Sequence, residues 1–137
     1  MQTRSTPRFV RFVLLSNGVV DLLAAAALLF PVLGLPLPGY SAYTSQLAFV
    51  AGGWAIAALT FGIGRIWTSH KAEFHRLMVV LGLVEAITLA AFCAVNVLCL
   101  GVSLLQAMLP LAVGSIYSVL YFLALLALLR LRKPDSL

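Results

Sequence analysis

Residues 86–129 read AITLAAFCAVNVLCLGVSLLQAMLPLAVGSIYSVLYFLALLALL and contain no charged side chain. Residues 22–64 form a second uncharged run. Each run is roughly twice the ~20 residues that an α-helix needs to cross a bilayer once. We therefore expect an all-α membrane protein with four transmembrane helices, at about residues 9–33, 46–64, 77–99 and 104–129.

The composition points to the same class of protein. Of the 137 residues, 63% are hydrophobic and 9% are charged, and the mean hydropathy is +1.09. Soluble globular domains carry about 25% charged residues. The four spans leave no room for a soluble domain, so residues 1–137 are expected to form a single four-helix transmembrane domain.

The basic residues predict the orientation of the chain. They fall in three groups, which are Arg4, Arg8 and Arg11, then Arg65, Lys71 and Arg76, then Arg130, Arg132 and Lys133. The connections at residues 31–45 and 100–103 carry no charge. Because basic flanking residues stay on the cytoplasmic side, the pattern predicts two antiparallel hairpins in the cytoplasmic (inner) membrane, with both termini cytoplasmic. The net charge of +5 suits contact with anionic lipids, and no nucleic-acid partner is indicated.

Two acidic residues, Asp21 and Glu85, lie inside the predicted spans. Charged groups in the bilayer are costly, and they usually mark functional positions. Asp21 follows Arg11 by ten residues and Glu85 follows Arg76 by nine, which places the two carboxylates roughly 15 and 13 Å from the basic boundary at ~1.5 Å per residue. We therefore expect them at one depth.

Helical spacing selects the neighbours of these acids. Residues three or four apart share a helical face, so Asn17 accompanies Asp21, and Ser118 accompanies Tyr121. A longer stripe on the third helix comprises Glu85, Thr88, Phe92, Asn96 and Cys99. We expect these faces to point inward. The candidate intramembrane polar site comprises Asp21, Glu85, Asn17, Thr88, Asn96, Ser118 and Tyr121, with Trp54 and Thr60 at a similar depth on the second helix.

The two acids are expected to lie in the bundle without a buried Lys or Arg. Two ionised carboxylates in this setting repel each other and lose their hydration, so a shared proton or a bound cation is one solution. In the alternative, both acids are protonated and join helices by hydrogen bonds worth ~0.6–2 kcal/mol each.

The second span is rich in small residues, including the four-apart pairs Gly53/Ala57 and Ala58/Gly62. Small residues allow helices to approach closely in a membrane. We therefore expect this helix at the centre of the bundle.

Motifs for other chemistry are weak. No predicted span contains histidine, and the chain has no glycine-rich phosphate loop. His70 and His75 are five apart and do not share a helical face, so no metal site and no cofactor are expected. Cys93 and Cys99 are six apart and lack the C-x-x-C spacing of a thiol oxidoreductase.

Three functions remain open from the sequence. The favoured interpretation is a non-catalytic accessory or assembly protein that binds lipids or partner helices, as a homodimer or within a larger membrane complex. In the second, a dimeric proton-coupled transporter uses Asp21 and Glu85. In the third, a membrane enzyme acts on a lipid or isoprenoid with Glu85 as acid or base.

Overall fold

The computed structural model describes residues 7–36 and 44–130, and the regular elements in these ranges are all helical. The four long helices are α1 (Arg8–Leu28), α2 (Ser45–Thr68), α3 (His75–Cys99) and α4 (Leu104–Arg130). Short 3-10 turns cover Pro31–Leu33 after α1 and Ala72–Phe74 before α3. Each long helix is long and apolar enough to cross a membrane, which confirms the expected class of a four-helix membrane protein. Arg4, Arg132, Lys133 and residues 37–43 lie outside the described residues.

Local sequence explains where α2 begins and how far it extends. Thr44 precedes the helix in an extended conformation, and its hydroxyl accepts a hydrogen bond of 3.0 Å from the backbone N–H of Leu47. This side chain satisfies one of the free N–H groups of the first turn. At its other end α2 continues to Thr68, whereas the expected span ends at residue 64. Arg65 therefore belongs to the helix and not to the connection after it.

Close backbone contacts hold the helices in pairs. The most extensive packing is between α1 and α2 and between α3 and α4, with α1 also contacting α4. A Cβ placed on Gly18 would lie 2.9 Å from the carbonyl oxygen of Gly62. On the other pair, a Cβ on Gly114 would lie 2.9 Å from the backbone nitrogen of Ala90. Each pair therefore needs glycine at its point of closest approach.

The apolar core is built by three of the four helices. Its fully or largely buried members are Val10, Val13, Leu14, Val79, Ala86, Tyr117, Tyr121 and Ala124. They come from the N-terminal half of α1, the N-terminal half of α3 and the C-terminal half of α4. The core thus lies between α1, α3 and α4, toward one end of the bundle.

The expectation that α2 lies at the centre is wrong. None of the core residues described belongs to α2, and Gly53 and Ala57 are exposed. The buried apolar residues of α2 are small, such as Ala51 and Ala55. Small side chains permit close approach to one neighbour, here α1, but bury too little apolar area to form a core.

Candidate functional site

Arg65 lies between the two intramembrane acids. Its side chain is 1% exposed, Nη1 donates to Oδ2 of Asp21, and Nη2 donates to Oε2 of Glu85. One guanidinium thus binds two carboxylates from two other helices. The expectation that no Lys or Arg is buried with these acids is wrong, because Arg65 belongs to α2 and its side chain points into the bundle.

Helix geometry explains how a residue near the end of α2 reaches the acids. Each Cα–Cβ bond in an α-helix tilts toward the helix N-terminus. The Arg65 side chain therefore extends back along α2, away from the end of the helix at Thr68. The aliphatic part of the side chain spans the distance from the α2 backbone to the two acids. Only the guanidinium group at its end carries a charge that the acids must neutralise.

On α1, Asn17 completes the coordination of Asp21. These residues are one helical turn apart and both are buried. The Nδ2 of Asn17 donates to Oδ1 of Asp21 over 3.1 Å. Both oxygens of the Asp21 carboxylate therefore accept a hydrogen bond, as a buried charge requires.

The fourth helix covers the guanidinium with an aromatic ring. The Cζ atom of Arg65 lies 5.9 Å from the ring centroid of Tyr121 and 5.4 Å from that of Phe61. Both distances are within the range of cation–π attraction. The Tyr121 ring is fully buried and rests on Gly82, where a Cβ would overlap it. Asp21, Arg65, Glu85 and Tyr121 thus bring one side chain from each helix to a single site.

The charges at this site do not balance when both acids are ionised. Two carboxylates and one guanidinium carry a net charge of −1. The Asp21 side chain is 12% exposed, but that of Glu85 is 43% exposed. The excess negative charge is therefore most accessible at Glu85.

Very little free space remains beside the acids. A cavity of about 30 Å³ is lined by Asn17, Asp21, Gly82, Glu85, Ala86, Leu89, Val113, Gly114 and Tyr117. This volume is enough for a single water molecule. Pockets for drug-sized ligands occupy roughly 300–1,000 Å³, so the cavity does not accommodate a lipid, an isoprenoid or a drug.

Three of the expected site residues donate side-chain hydrogen bonds to backbone carbonyl oxygens of their own helices. Thr88 donates to the carbonyl oxygen of Val84 (2.8 Å), Asn96 to that of Phe92 (2.8 Å), and Ser118 to that of Gly114 (2.7 Å). Thr88 is exposed, whereas Asn96 and Ser118 are half-buried. None of the hydrogen bonds described links these three side chains to Asp21, Arg65 or Glu85.

The stripe of α3 does not point inward as expected. Thr88 and Cys99 are exposed, and Phe92 is 60% exposed. The buried positions of α3 are instead His75, Val79, Gly82, Ala86 and Cys93. This buried face lies about a quarter of a turn away from the stripe, so Glu85 sits at the boundary between them.

The second helix also contributes differently from the expectation. Trp54 is 58% exposed, and the hydroxyl of Thr60 donates to the carbonyl oxygen of Ile56 in the same helix. Neither side chain belongs to the ion cluster. Arg65 takes their place, because its side chain reaches toward the acids from a position nearer the end of α2.

The histidines and cysteines do not form a metal site within residues 7–36 and 44–130, where no group of three potential His, Cys, Asp or Glu ligands occurs. His75 is buried, and its Nε2 lies 2.9 Å from the carbonyl oxygen of Ser69. This contact ties the connection between α2 and α3 to the start of α3.

Arg65 was the functional-site residue that sequence reasoning missed. It directly follows the uncharged run and was counted with the basic residues of the boundary. The two acids nevertheless require a counter-charge, and Arg65 and Arg130 are the two basic residues that directly follow the uncharged runs. Comparison of the chain with protein-family models, curated proteins and solved structures finds no match.

Proposed function

We propose that this protein is a non-catalytic accessory or assembly subunit of the cytoplasmic membrane, which binds lipids and partner helices. The observation that carries this proposal is Arg65, whose guanidinium fills the space between Asp21 and Glu85. The acids already have an internal counter-charge. Their arrangement suits a cluster that sets the relative position of the helices better than one that receives a substrate.

The tight packing argues against the carrier and the enzyme. To pass between the two acids, a transported cation would have to displace the guanidinium from a carboxylate, and leaving a buried charge unpaired is strongly unfavourable. A lipid or isoprenoid enzyme needs a cavity for its substrate, but the space beside Glu85 is about 30 Å³. Both alternatives would require a large rearrangement of the helices.

The proposed topology is two antiparallel hairpins with both termini in the cytoplasm. Arg8 and Arg11 lie at the start of α1, Arg76 lies at the start of α3, and Arg130 ends α4. Lys71 follows α2, and its ammonium nitrogen is 3.8 Å from the ring centroid of Trp67. A basic residue beside an exposed tryptophan suits the boundary between membrane and water.

The exposed side of α2 supplies a surface for lipids or helices. Phe49 and Trp54 are 84% and 58% exposed. They flank the small residues Gly52 and Gly53 along an open apolar groove. Such a mixture of large and small apolar residues lets an acyl chain or another helix approach closely.

Proton flux provides the direct test of this function. The purified chain is reconstituted into vesicles that contain a pH-sensitive dye, and a proton gradient is imposed with and without added Na⁺ or K⁺. We expect wild type, Glu85→Gln and protein-free vesicles to dissipate the gradient at the same rate. Flux in the wild type that Glu85→Gln abolishes would instead establish the carrier. The variant Glu73→Gln, in the connection before α3, is the matched control.

A further inference from the structure

The stripe of α3 that comprises Glu85, Thr88, Phe92, Asn96 and Cys99 carries polar groups on the outside of the bundle. A transmembrane helix normally directs such groups toward other protein, because lipid offers them no hydrogen bonds. The structure turns this stripe away from the core residues Val79 and Ala86. The stripe therefore carries polar groups on the outer surface of α3, from the middle of the helix to its end at Cys99.

Glu85 is the strongest group on this face. It lies near the midpoint of the apolar span Ala72–Cys99, and a bilayer crossed by this span would place hydrocarbon against its exposed side. One carboxylate oxygen accepts from Arg65, but the side chain remains 43% exposed. With both acids ionised, the cluster of Asp21, Arg65 and Glu85 also lacks one positive charge. A cation placed against the open side of Glu85 would neutralise the cluster.

A second copy of this chain does not supply that cation. In a symmetric pair within one membrane, the same surface meets itself and identical residues lie at equal depth. Glu85 would then face Glu85 of the other copy, and with both acids ionised each cluster would bring a net charge of −1. Among the described residues of the stripe, none is basic.

From this charge complementarity we infer that the α3 stripe is the docking face for a transmembrane helix of a different protein, which carries a Lys or Arg at the depth of Glu85. The basic side chain of the partner binds the open carboxylate oxygen. The side chains of Thr88 and Asn96 donate hydrogen bonds to backbone carbonyl oxygens of α3. Phe92 provides the exposed apolar contact for the partner helix. This interface rests on the proposed accessory function and specifies one class of partner for it.

A designed helix tests the interface without knowledge of the natural partner. The probe is a synthetic transmembrane peptide of Leu and Ala with one central Lys, and the matched peptide has Leu at that position. The full chain carries Cys93→Ala and Cys99→Ala, so that His70→Cys, at an exposed position in the connection after α2, is the single site for a fluorescent donor. Energy transfer to a labelled peptide in lipid vesicles then measures association.

We expect the Lys peptide to associate with the chain more strongly than the Leu peptide. Glu85→Gln should weaken association of the Lys peptide by roughly three- to thirtyfold, as expected for one interhelical polar contact. Glu73→Gln should have no effect. Equal association of the two peptides, or a Glu85→Gln variant that binds the Lys peptide as wild type does, would overturn the interface.

Two tryptophan variants test the interface independently if Glu85→Gln destabilises the fold. Thr88→Trp blocks the stripe but leaves the ion cluster intact, and it should abolish the preference for Lys. Ile87→Trp, at a neighbouring residue that is 51% exposed on another side of α3, should retain the preference. The same response to both variants would contradict docking on the stripe.

Self-association has its own measurement in this system. If donor- and acceptor-labelled copies of the chain show transfer that Thr88→Trp removes, a second copy covers the stripe and the inference fails. The outcome for the proposed function is separate. Proton flux through the chain overturns the accessory role, whereas a chain without flux that does not distinguish the two peptides overturns only this interface.

Discussion

Among single residues, Arg65 provides the positive charge that compensates Asp21 and Glu85 inside the bundle. A buried ion pair is not by itself evidence of high stability, because desolvation offsets much of the attraction. Removal of one partner is far more damaging than removal of all, since it leaves a buried charge without compensation. Arg65 therefore has two roles. It reduces the free-energy cost of burying the carboxylates of Asp21 and Glu85, and its ion pairs hold α2 against α1 and α3.

Substitution of Arg65 alone should severely destabilise the fold. We expect Arg65→Met to lower the free energy of unfolding by about 3–5 kcal/mol, because two carboxylates then lose their shared cation. The triple variant Asp21→Asn, Arg65→Met and Glu85→Gln should recover most of this loss. Circular dichroism during unfolding of the chain by SDS in mixed micelles measures both effects.

The exposed Arg76 offers a control for the loss of a positive charge. Arg76→Met should change the free energy of unfolding by less than about 0.5 kcal/mol, as expected for a surface substitution. If the triple variant is no more stable than Arg65→Met, the charges are not coupled through the guanidinium.

Part of this site follows from sequence position. The count from the basic boundaries places Asp21 and Glu85 at one depth, and their common contact with Arg65 is consistent with that depth. The same count misplaces Arg65, because it uses a basic residue as a marker of the boundary. Residue number locates a Cα atom along the helix axis, but the long side chain of Arg carries its charge toward the N-terminus of the helix.

At the scale of helices, α2 differs from the other three in how it is held. Its contacts with α1 depend on close approach at Gly18 and Gly62, and its contacts with α3 are few. The ion pair between Arg65 and Glu85 provides the polar link between α2 and α3. The small residues of α2 predict that it packs closely against a neighbouring helix. They do not predict that it lies at the centre of the bundle.

Two glycine substitutions compare the side of α2 that packs against α1 with its open side. Gly18 lies on α1 at the contact between the two helices, and Gly53 lies on the open side of α2. Gly18→Ala should destabilise the fold by about 1–3 kcal/mol, because the new Cβ would lie 2.7 Å from Cγ1 of Ile66 and 2.9 Å from the carbonyl oxygen of Gly62. Gly53→Ala meets no atom within 4 Å and should be neutral or stabilising by up to about 1 kcal/mol. Unfolding by SDS measures both variants, and equal effects would contradict the close contact of α1 with α2.

Helix α3 shows a related limit of sequence patterns. The spacing of Glu85, Thr88, Phe92, Asn96 and Cys99 correctly identifies one face of a helix. It does not reveal which face meets the bundle, because polar residues of a membrane helix can face a core or a partner. The structure places the small residues Gly82 and Ala86 inward, and the ring of Tyr121 from α4 rests on Gly82.

At the scale of the whole molecule, the ion cluster adjoins the apolar core, because Tyr121 belongs to the core and covers the guanidinium of Arg65. Val10, Val13 and Leu14 are fully buried near the start of α1. Near the other end, Leu98 and Leu105 are 82% and 73% exposed. This end presents apolar surface suited to lipid, whereas Arg65 and most of Asp21 are buried beside the core.

Chemical labelling tests the proposed orientation of the molecule. In a chain with both natural cysteines replaced by Ser, Thr44→Cys and His70→Cys place single thiols in the first and second connections. We expect a membrane-impermeant maleimide to label Thr44→Cys only from the outside and His70→Cys only from the cytoplasmic side of sealed vesicles, because basic residues flank the second connection. Labelling of both thiols from one side would contradict the four-span topology.

The sequence alone determined that this protein has four apolar helices and where two costly charges lie in them. These properties follow from hydropathy and length, which act within a single segment. The packing of the helices establishes three further features: Arg65 joins Asp21 and Glu85, α2 stays outside the apolar core, and the α3 stripe faces outward. Such features depend on the rotation of each helix about its axis and on side-chain direction, which are set by contacts between helices.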